Sequence, residues 1–310
     1  MIDPEITRVA VLMGGWSAER EVSLASGQAC TQALERAGFQ VIPIDVKRDI
    51  AKVLADLRPD VAFNALHGKW GEDGTVQGVL ETLQIPYTHS GVLASALAMD
   101  KHRAKAVFQR VGIPVAEDRI VEIEVAAASH AMTPPYVIKP SAEGSSVGVI
   151  IVEHGSNAAP GDILKRRDLY GDHVMVERFV PGRELTCAVM GNVAFGVIDI
   201  VPKVGFYDYK AKYQPGGSAH VLPAEVPQDI YRKVQQYALT AHMELGCRGV
   251  SRADFRYDDT PGADGELIIL EVNTQPGMTG TSLVPELAQH AGHSFTELVT
   301  WMVQDASLNR

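Results

Sequence analysis

The sequence has few cysteines, no long apolar run and a deficit of positive charge. Its three cysteines, Cys30, Cys187 and Cys247, are scattered through 310 residues, which predicts neither a disulfide framework nor a zinc site. No apolar stretch approaches the roughly 20 residues that a helix needs to span a bilayer. The opening residues, MIDPEITRVAVLMGG, include acidic side chains and only a short apolar run, unlike a signal peptide. We therefore expect a protein of the reducing cytoplasm.

The charge balance excludes further function classes. The net charge is −10 and the pI is about 5.5, which argues against a nucleic-acid surface but leaves open a local basic pocket for phosphates. Hydrophobic residues make up 46% and charged residues 21% of the chain, a composition typical of globular proteins. A chain of this length has room for two or three domains with sizeable cores. We expect neither nucleic acid nor membrane as a partner.

Strands and helices alternate in the first third of the chain. Apolar runs at 8–13, 40–46 and 60–66 predict strands, with helical spacing between them. This alternation predicts a parallel α/β sheet, in which functional groups collect past the carboxyl ends of the strands. Glu19 follows the first strand and His67 follows the third. Beyond residue 98 the pattern changes to hairpins of an α+β type.

Three oxygen-bearing side chains mark the most informative hairpin. The runs VSRADFRY and ELIILEVN are joined by turn residues, which predicts paired strands. Glu271 and Asn273 share one face, and pairing brings Asp254 within a diagonal step of Glu271. Two carboxylates at such a short distance repel each other unless a cation lies between them. Oxygen ligands are the type that Mg²⁺ prefers. The alternative is a solvated acidic hairpin end.

Further candidates flank this hairpin. Arg252 shares the face of Asp254, where it either neutralises a phosphate or oxyanion or only balances the carboxylates. Gly277 follows the hairpin and presents a backbone N–H that no side chain obstructs. Ser282 and Leu283 begin a predicted helix, whose N-terminus favours an anion such as a carboxylate.

A Gly/Ser loop at 142–148 lies between two predicted strands. Its N–H groups are suited to close over phosphates, although it lacks the Walker A and G-x-G-x-x-G patterns, and a simple tight turn is the alternative. Lys139, inside an apolar run, calls for an anionic partner unless its strand is at an edge. Glu177 and Glu184 are suited to accept hydrogen bonds from an amino group or ribose hydroxyls. An exposed strand end is the alternative for Glu177.

The segment 205–218 is rich in tyrosine, lysine and glycine. Its length and aromatic content are typical of lids. Lys212 and Tyr213 would then reach substrate or phosphate, whereas the alternative is a packed surface loop.

Together these motifs resemble the ATP-grasp ligases, and most closely the bacterial D-alanine–D-alanine ligase family. The resemblance spans nearly the whole chain through seven segments: GGWSAEREVSL (14–24), ALHGKWGEDGTVQG (65–78), SGVLASALAMDK (90–101), IKPSAEGSSVG (138–148), FYDYKAKY (206–213), RADF (252–255) and LEVNTQPGMTGTSLVP (270–285). It implies an ATP-grasp fold of α/β and α+β parts. The expected domains are a Rossmann-like α/β domain (1–97), a central lid domain (98–184) and a C-terminal catalytic domain (185–310), with ATP between the last two.

The resemblance also implies the nucleotide site. Lys101 and Lys139 would contact the phosphates of ATP, Glu177 the adenine amino group and Glu184 the ribose. The other ATP contacts implied are Glu143, Ser145, Ser146, Phe179, Val180, Tyr207 and Lys212. The ligands implied for two Mg²⁺ (or Mn²⁺) ions are Asp254, Glu271 and Asn273. Activation by K⁺ is a further expectation.

For the first substrate, the resemblance implies that Glu19 binds the ammonium of one D-alanine, assisted by His67. Glu19, Ser145 and Tyr213 would form a hydrogen-bonded set that links three domains.

For the second substrate, Ser282 and Leu283 would face the carboxylate of another D-alanine. Arg252 and the Gly277 N–H would form an oxyanion hole. The implied product is D-alanyl-D-alanine, made through a D-alanyl phosphate for peptidoglycan synthesis, and the implied assembly is a homodimer in the cytoplasm.

Three residues depart from the usual pattern of the family: Trp16, Lys210 and Gln275. None has a chemical role in the resemblance, but Trp16 lies beside the Glu19 loop. The Lys212-Tyr213 pair favours a dipeptide over an ester with D-lactate. Two alternatives stay open: another ATP-grasp carboxylate–amine ligase, and a non-catalytic ATP-binding module, which should have lost metal or lid residues.

Overall fold

The computed structural model describes residues 2–144, 147–202 and 217–310. The strands are β1 (Arg8–Gly14), β2 (Gln40–Val46), β3 (Val61–Asn64), β4 (Asp118–Glu122), β5 (Tyr136–Lys139), β6 (Ile150–Val152), β7 (His173–Arg178), β8 (Arg183–Met190), β9 (Val193–Pro202), β10 (Ser218–Val221), β11 (Val250–Tyr257) and β12 (Leu267–Asn273). The helices are α1 (Arg20–Arg36), α2 (Ile50–Leu57), α3 (Thr75–Thr82), α4 (Val92–Met99), α5 (Lys101–Arg110), α6 (Ile123–Ala128), α7 (Arg167–Tyr170), α8 (Gln228–Glu244), α9 (Leu283–His290) and α10 (Phe295–Asp305), with a 3₁₀ helix at Gly161–Arg166. Within this part of the chain, no helix has both the length and the apolar character needed to cross a bilayer.

The first sheet is parallel, in the order β2-β1-β3. This confirms the prediction from alternating strands and helices. The loops after β1 and β3 lie side by side at the carboxyl edge, where Ser17 Oγ donates to the carbonyl of His67 at 2.6 Å. The edge therefore brings the Glu19 and His67 loops together.

The second sheet is antiparallel, in the order β4-β7-β5-β6. β5 lies between β7 and β6, so Lys139 is not on an edge strand. Asp118 and Glu177 are directly opposite each other on β4 and β7. Residues in such a pair have side chains on the same face of the sheet.

The third sheet is antiparallel, in the order β10-β9-β8-β11-β12. Its face towards α4, α5 and α8 forms one apolar core. A second core joins its other face, with α9 and α10, to β1, β3 and α1 of the first sheet. The domain boundaries at 97/98 and 184/185 stay a prediction.

A β-bulge between Asp254 and Phe255 decides which side chains of the β11–β12 hairpin face the site. Phe255 pairs with Ile269, but Asp254 pairs with Glu271 rather than with Leu270. Because side chains alternate between faces, unbroken pairing would have put Glu271 on the face opposite Asp254. The bulge places the two carboxylates side by side and directly opposite each other, within the diagonal step that the sequence predicted.

We predict that Gly27→Ala destabilises the fold, because an added Cβ would lie 2.4 Å from Met13 Cβ where α1 packs on β1. The expected loss is about 1–3 kcal/mol in the free energy of unfolding, measured by urea denaturation.

Gly78→Ala in α3 is the matched control. Apart from its chain neighbours and the backbone of its own helix, no heavy atom of the described residues lies within 4 Å of its added Cβ. Alanine should therefore stabilise that helix by up to about 1 kcal/mol. Equal effects of the two substitutions would contradict the packing argument.

Candidate active site

The Asp254 carboxylate is the centre of the site and only 5% exposed. Its Oδ1 accepts hydrogen bonds from Thr186 Oγ1 at 2.7 Å and Arg252 Nε at 2.8 Å. Its Oδ2 accepts from Arg252 Nη2 at 2.7 Å and Asn273 Nδ2 at 3.1 Å. The bidentate pair with arginine fixes the carboxylate plane. The hairpin end is therefore not a solvated acidic one. Arg252 balances the charge of Asp254, which was one of the two predicted roles for this arginine.

Glu271, opposite Asp254, is paired with Lys101. The Lys101 Nζ lies 3.0 Å from Glu271 Oε2 and donates to the carbonyl of Glu143 at 2.6 Å. Burial alone would lower the pKa of Lys101, but Glu271 outweighs it, so the pKa is raised. Lys101 thus links the β11–β12 hairpin to the start of the Gly/Ser loop as a fixed positive charge.

A cavity opens between the second and third sheets. The predicted ATP contacts in its wall are Lys101, Lys139, Glu143, Glu177, Phe179, Val180 and Glu184. Two predicted metal ligands, Asp254 and Glu271, line it as well. Apolar side chains including Val137, Ile268 and Leu270 supply the rest of the lining. An apolar slot with convergent charges suits a base at one end and phosphates at the other.

Glu177 lies at the wall of this cavity between two lysines. Its Oε1 accepts from Lys105 Nζ at 2.7 Å and its Oε2 from Lys139 Nζ at 2.6 Å. Burial raises the pKa of Glu177, but the two lysines outweigh it and lower the pKa. The carboxylate is buried and ionised, which excludes an exposed strand end. Lys105 is missing from the sequence predictions because a lysine in an amphipathic helix normally faces solvent.

A second cavity adjoins the first. The predicted substrate residues in its wall are Glu19, His67, Arg252, Gly277, Ser282 and Leu283. Asn273 and Asp254 line it as well, and Asp254 is thus in the walls of both cavities. The predicted nucleotide and substrate residues therefore meet at one carboxylate.

Glu19 reaches this cavity beside two glycines, Gly68 and Gly144, that approach its carboxylate closely. A Cβ on Gly68 would lie 2.7 Å from Glu19 Oε2, and one on Gly144 would lie 2.9 Å from it. Gly68 also has a positive φ of 72°. The Glu19 carboxylate consequently lies against both the His67 loop and the Gly/Ser loop.

His67 is buried and held at both ring nitrogens. Its Nδ1 lies 3.2 Å from Glu72 Oε1, and its Nε2 lies 3.0 Å from Ser26 Oγ. Burial lowers the pKa of His67, but the hydrogen bond and charge of Glu72, with the charge of Glu19, outweigh it and raise the pKa. Glu72 is a functional candidate that the sequence analysis missed, although it lies in the quoted segment 65–78.

The segment after β12 turns sharply around Ser282. Ser282 Oγ accepts from the Thr279 N–H at 2.9 Å, and a Cβ on Gly277 would lie 2.9 Å from that same oxygen. The residue before α9 is Ser282, as the sequence predicted. Glycine at 277 thus lets the turn close beside the second cavity.

Two of the three departures from the family pattern lie next to the site. Trp16 packs against Trp70 with ring centroids 5.6 Å apart, and Arg48 lies 5.1 Å from the Trp16 centroid. Gln275 is buried, and its amide donates to the carbonyl of Asn64. Trp16 therefore braces two loops rather than entering the second cavity.

Several predicted residues lie outside the described residues: Ser145, Ser146, Tyr207, Lys210, Lys212 and Tyr213. Their proposed contacts stay predictions.

Comparison with known proteins identifies the family. The family models for the D-ala D-ala ligase C-terminus and N-terminus match residues 107–304, and 8–56 and 49–90, respectively. The chain belongs to the D-alanine–D-alanine ligase family. It is 62% identical to the D-alanine–D-alanine ligase of Parvibaculum lavamentivorans over 302 residues, covering 97% of this chain and 98% of the relative. It is 63% identical to that of Methylorubrum populi over 303 residues, covering 97% and 99%.

Solved structures of family members agree with the fold. The D-alanine–D-alanine ligase of Bacillus anthracis in complex with ATP has a TM-score of 0.81 at 29% identity, covering 97% of each chain. The VanG D-Ala:D-Ser ligase of Enterococcus faecalis has a TM-score of 0.77 at 30% identity, covering 96% of this chain and 98% of its own. The fold is the ATP-grasp fold, as the sequence predicted.

We predict that Glu72→Gln lowers the pKa of His67, because it removes the charge and weakens the hydrogen bond that raise it against burial. The measurement is an NMR titration of the His67 ring, assigned with a His67→Gln variant.

Asp73→Asn is the control, since the Asp73 carboxylate accepts hydrogen bonds from the backbone N–H groups of Trp70 and Thr75. An unchanged His67 titration in Glu72→Gln would disprove the assignment.

Proposed function

We propose that the protein joins two D-alanines to D-alanyl-D-alanine, using ATP and passing through a D-alanyl phosphate. The observation that carries the proposal is that Asp254 lines both cavities. A phosphate held over Asp254 from the first cavity would face a carboxylate held in the second. The ATP complex of the Bacillus anthracis relative supports ATP in the first cavity.

The first cavity is proposed to hold ATP with its base near Glu177 and its phosphates near Lys101. Glu177 would accept from the adenine amino group, Glu184 from the ribose, and Lys139 would reach the phosphates. Phe179 and Val180 would contact the base, and Glu143 would lie at the phosphate end. Buried lysines in an acidic protein concentrate positive charge where a polyanion binds.

Asp254, Glu271 and Asn273 fit Mg²⁺ or Mn²⁺ by the chemistry of their donors. The strand register brings the two carboxylates side by side, and each already attracts a cation, Arg252 or Lys101. Asn273, whose amide nitrogen donates to Asp254, also carries an oxygen of the type that these ions prefer. We propose that these residues hold two ions. When bound, such ions neutralise phosphate oxygens and orient the transferred group. Activation by K⁺ is proposed on the family resemblance alone.

In the first step, the carboxylate of one D-alanine attacks the γ-phosphorus of ATP. A carboxylate–phosphorus bond forms, the bond to the β-phosphate oxygen breaks, and D-alanyl phosphate and ADP result. Glu19 would hold the ammonium of this D-alanine, with His67, held between Glu72 and Ser26, fixing the surrounding loop. The side chains contribute mainly position and charge, which is what phosphoryl transfer requires.

In the second step, the neutral amine of the other D-alanine attacks the acyl carbon. The tetrahedral oxyanion would be stabilised by Arg252 and the Gly277 N–H. As it collapses, the bond from the acyl carbon to the phosphate oxygen breaks, and the proton lost by the amine nitrogen leaves with the phosphate. Ser282 and Leu283, at the start of α9, would face the carboxylate of this second substrate. Ser145 and Tyr213 are proposed to link Glu19 to the loops that exclude water.

A homodimer and a cytoplasmic location complete the proposal. The first rests on the family resemblance, and the second on the sparse, scattered cysteines.

The proposed function is tested by phosphate release and mass spectrometry of the products, with ATP, Mg²⁺ and a potassium salt. D-Alanine, D-serine, D-lactate and L-alanine are compared as substrates. We expect D-alanyl-D-alanine as the main product. A preference for a mixed product, as in the D-Ala:D-Ser relative, would favour another ligase of the superfamily. ATP binding without turnover of any substrate would favour a binding module.

We predict that Arg252→Ala lowers kcat by about 10²–10³-fold, because an oxyanion donor is lost. Glu271→Gln should nearly abolish turnover, because a proposed metal ligand loses its charge. Both are measured in the dipeptide assay, with circular dichroism to establish folding.

Arg103→Ala and Glu266→Gln are the controls, since both side chains are well exposed ion-pair partners. They should retain near-wild-type rates. Rates close to wild type in folded Arg252→Ala or Glu271→Gln would remove that residue from the mechanism.

A further inference from the structure

Two carboxylates meet on the second sheet where they would repel each other. Asp118 and Glu177 are directly opposite across β4 and β7, and their side chains are 7% and 4% exposed. Like charges in opposed positions destabilise a sheet, and burial strengthens the repulsion. A cation between them is therefore required for both to stay charged.

Lys105, on α5, supplies that cation. Its side chain is 1% exposed, and its Nζ lies 2.7 Å from Glu177 Oε1 and 2.9 Å from Asp118 Oδ1. It also donates to the carbonyl of Ala116 at 2.6 Å. An ammonium has three N–H donors, so these acceptors account for all of them.

The position of Lys105 separates it from the residues that would touch a nucleotide. Glu177 and Lys139 line the first cavity, whereas Lys105 and Asp118 are not among its lining residues. Lys105 contacts Glu177 Oε1 from the side away from the cavity, and Lys139 contacts Glu177 Oε2. The carboxylate is thus held in one plane by two lysines, as an acceptor of hydrogen bonds.

We propose that Lys105 is a positioning residue for nucleobase selection, which keeps Glu177 an obligate acceptor by separating it from Asp118. The inference rests on the proposed function, in which Glu177 meets the adenine amino group. An obligate acceptor favours the amino group of adenine and repels the carbonyl oxygen that hypoxanthine carries there. A site built for a hydrogen bond rejects a base that cannot make it.

Loss of Lys105 would leave the two carboxylates facing each other. His102 Nδ1 would still lie 2.6 Å from Asp118 Oδ2, and Lys139 would still pair with Glu177. The like charge opposite Glu177 nevertheless favours proton uptake there, because it disfavours ionisation. A protonated Glu177 is both a donor and an acceptor, and it no longer distinguishes an amino group from a carbonyl.

The test compares binding of ATP and ITP by calorimetry, without D-alanine. In Lys105→Met we expect the preference for ATP over ITP to fall about tenfold or more, mainly through weaker ATP binding. At saturating ATP, dipeptide turnover should stay within about threefold of wild type, because only nucleotide binding is affected. Lys105→Gln, which keeps N–H donors without the charge, is measured beside it in case the methionine variant does not fold, and should show a smaller fall.

A rescue variant separates positioning from a structural role. Adding Asp118→Asn to Lys105→Met removes the like charge opposite Glu177, so part of the ATP preference should return. Lys52→Met, at an exposed lysine paired with one carboxylate, is the control and should change nothing. An equal loss of ATP and ITP binding in folded Lys105 variants, or no rescue, would overturn the inference. Failure of the wild type to prefer ATP would instead count against the adenine contact of Glu177 in the proposed function.

Discussion

The site depends on one constraint: Asp254 and Glu271 must lie side by side where little water screens the repulsion between their charges. The bulge in β11–β12 creates this proximity, and unbroken pairing would remove it. Arg252 and Lys101 then supply the opposite charges, the first from the same strand and the second from the start of α5. The hairpin therefore fixes where the helix N-terminus and the Gly/Ser loop must lie.

The same solution recurs on the second sheet, where Lys105 and Lys139 neutralise Glu177 and Asp118. The lysines proposed for phosphate binding are thus held by carboxylates before any nucleotide arrives. This arrangement limits their entropy loss on binding and keeps isolated buried charges out of the fold. When a polyanion enters the cavity, these lysines would exchange their carboxylate partners for its phosphates.

Local patterns were enough to predict the parallel sheet, the hairpin and the loops with chemistry. Periodicity and turn residues are properties of neighbouring positions, so β1, β11 and β12 were recognisable from the sequence. The bulge at Asp254 was not, because either register satisfies the apolar pattern of ELIILEVN. The approach of Glu19 to Gly144 joins loops from different sheets. Local patterns do not show it, and only the family resemblance, through Glu19 and Ser145, implied that these loops meet.

Lys105 shows why buried charges are the hardest residues to predict. An amphipathic pattern assigns a lysine in α5 to solvent, and only the opposed register of Asp118 and Glu177 explains its burial. Replacing such a cluster with apolar residues often stabilises a fold, whereas removing one member leaves an uncompensated charge. A buried set of four charges beside a cavity is therefore weak evidence for stability. It is stronger evidence that the cavity requires a carboxylate of fixed charge and orientation.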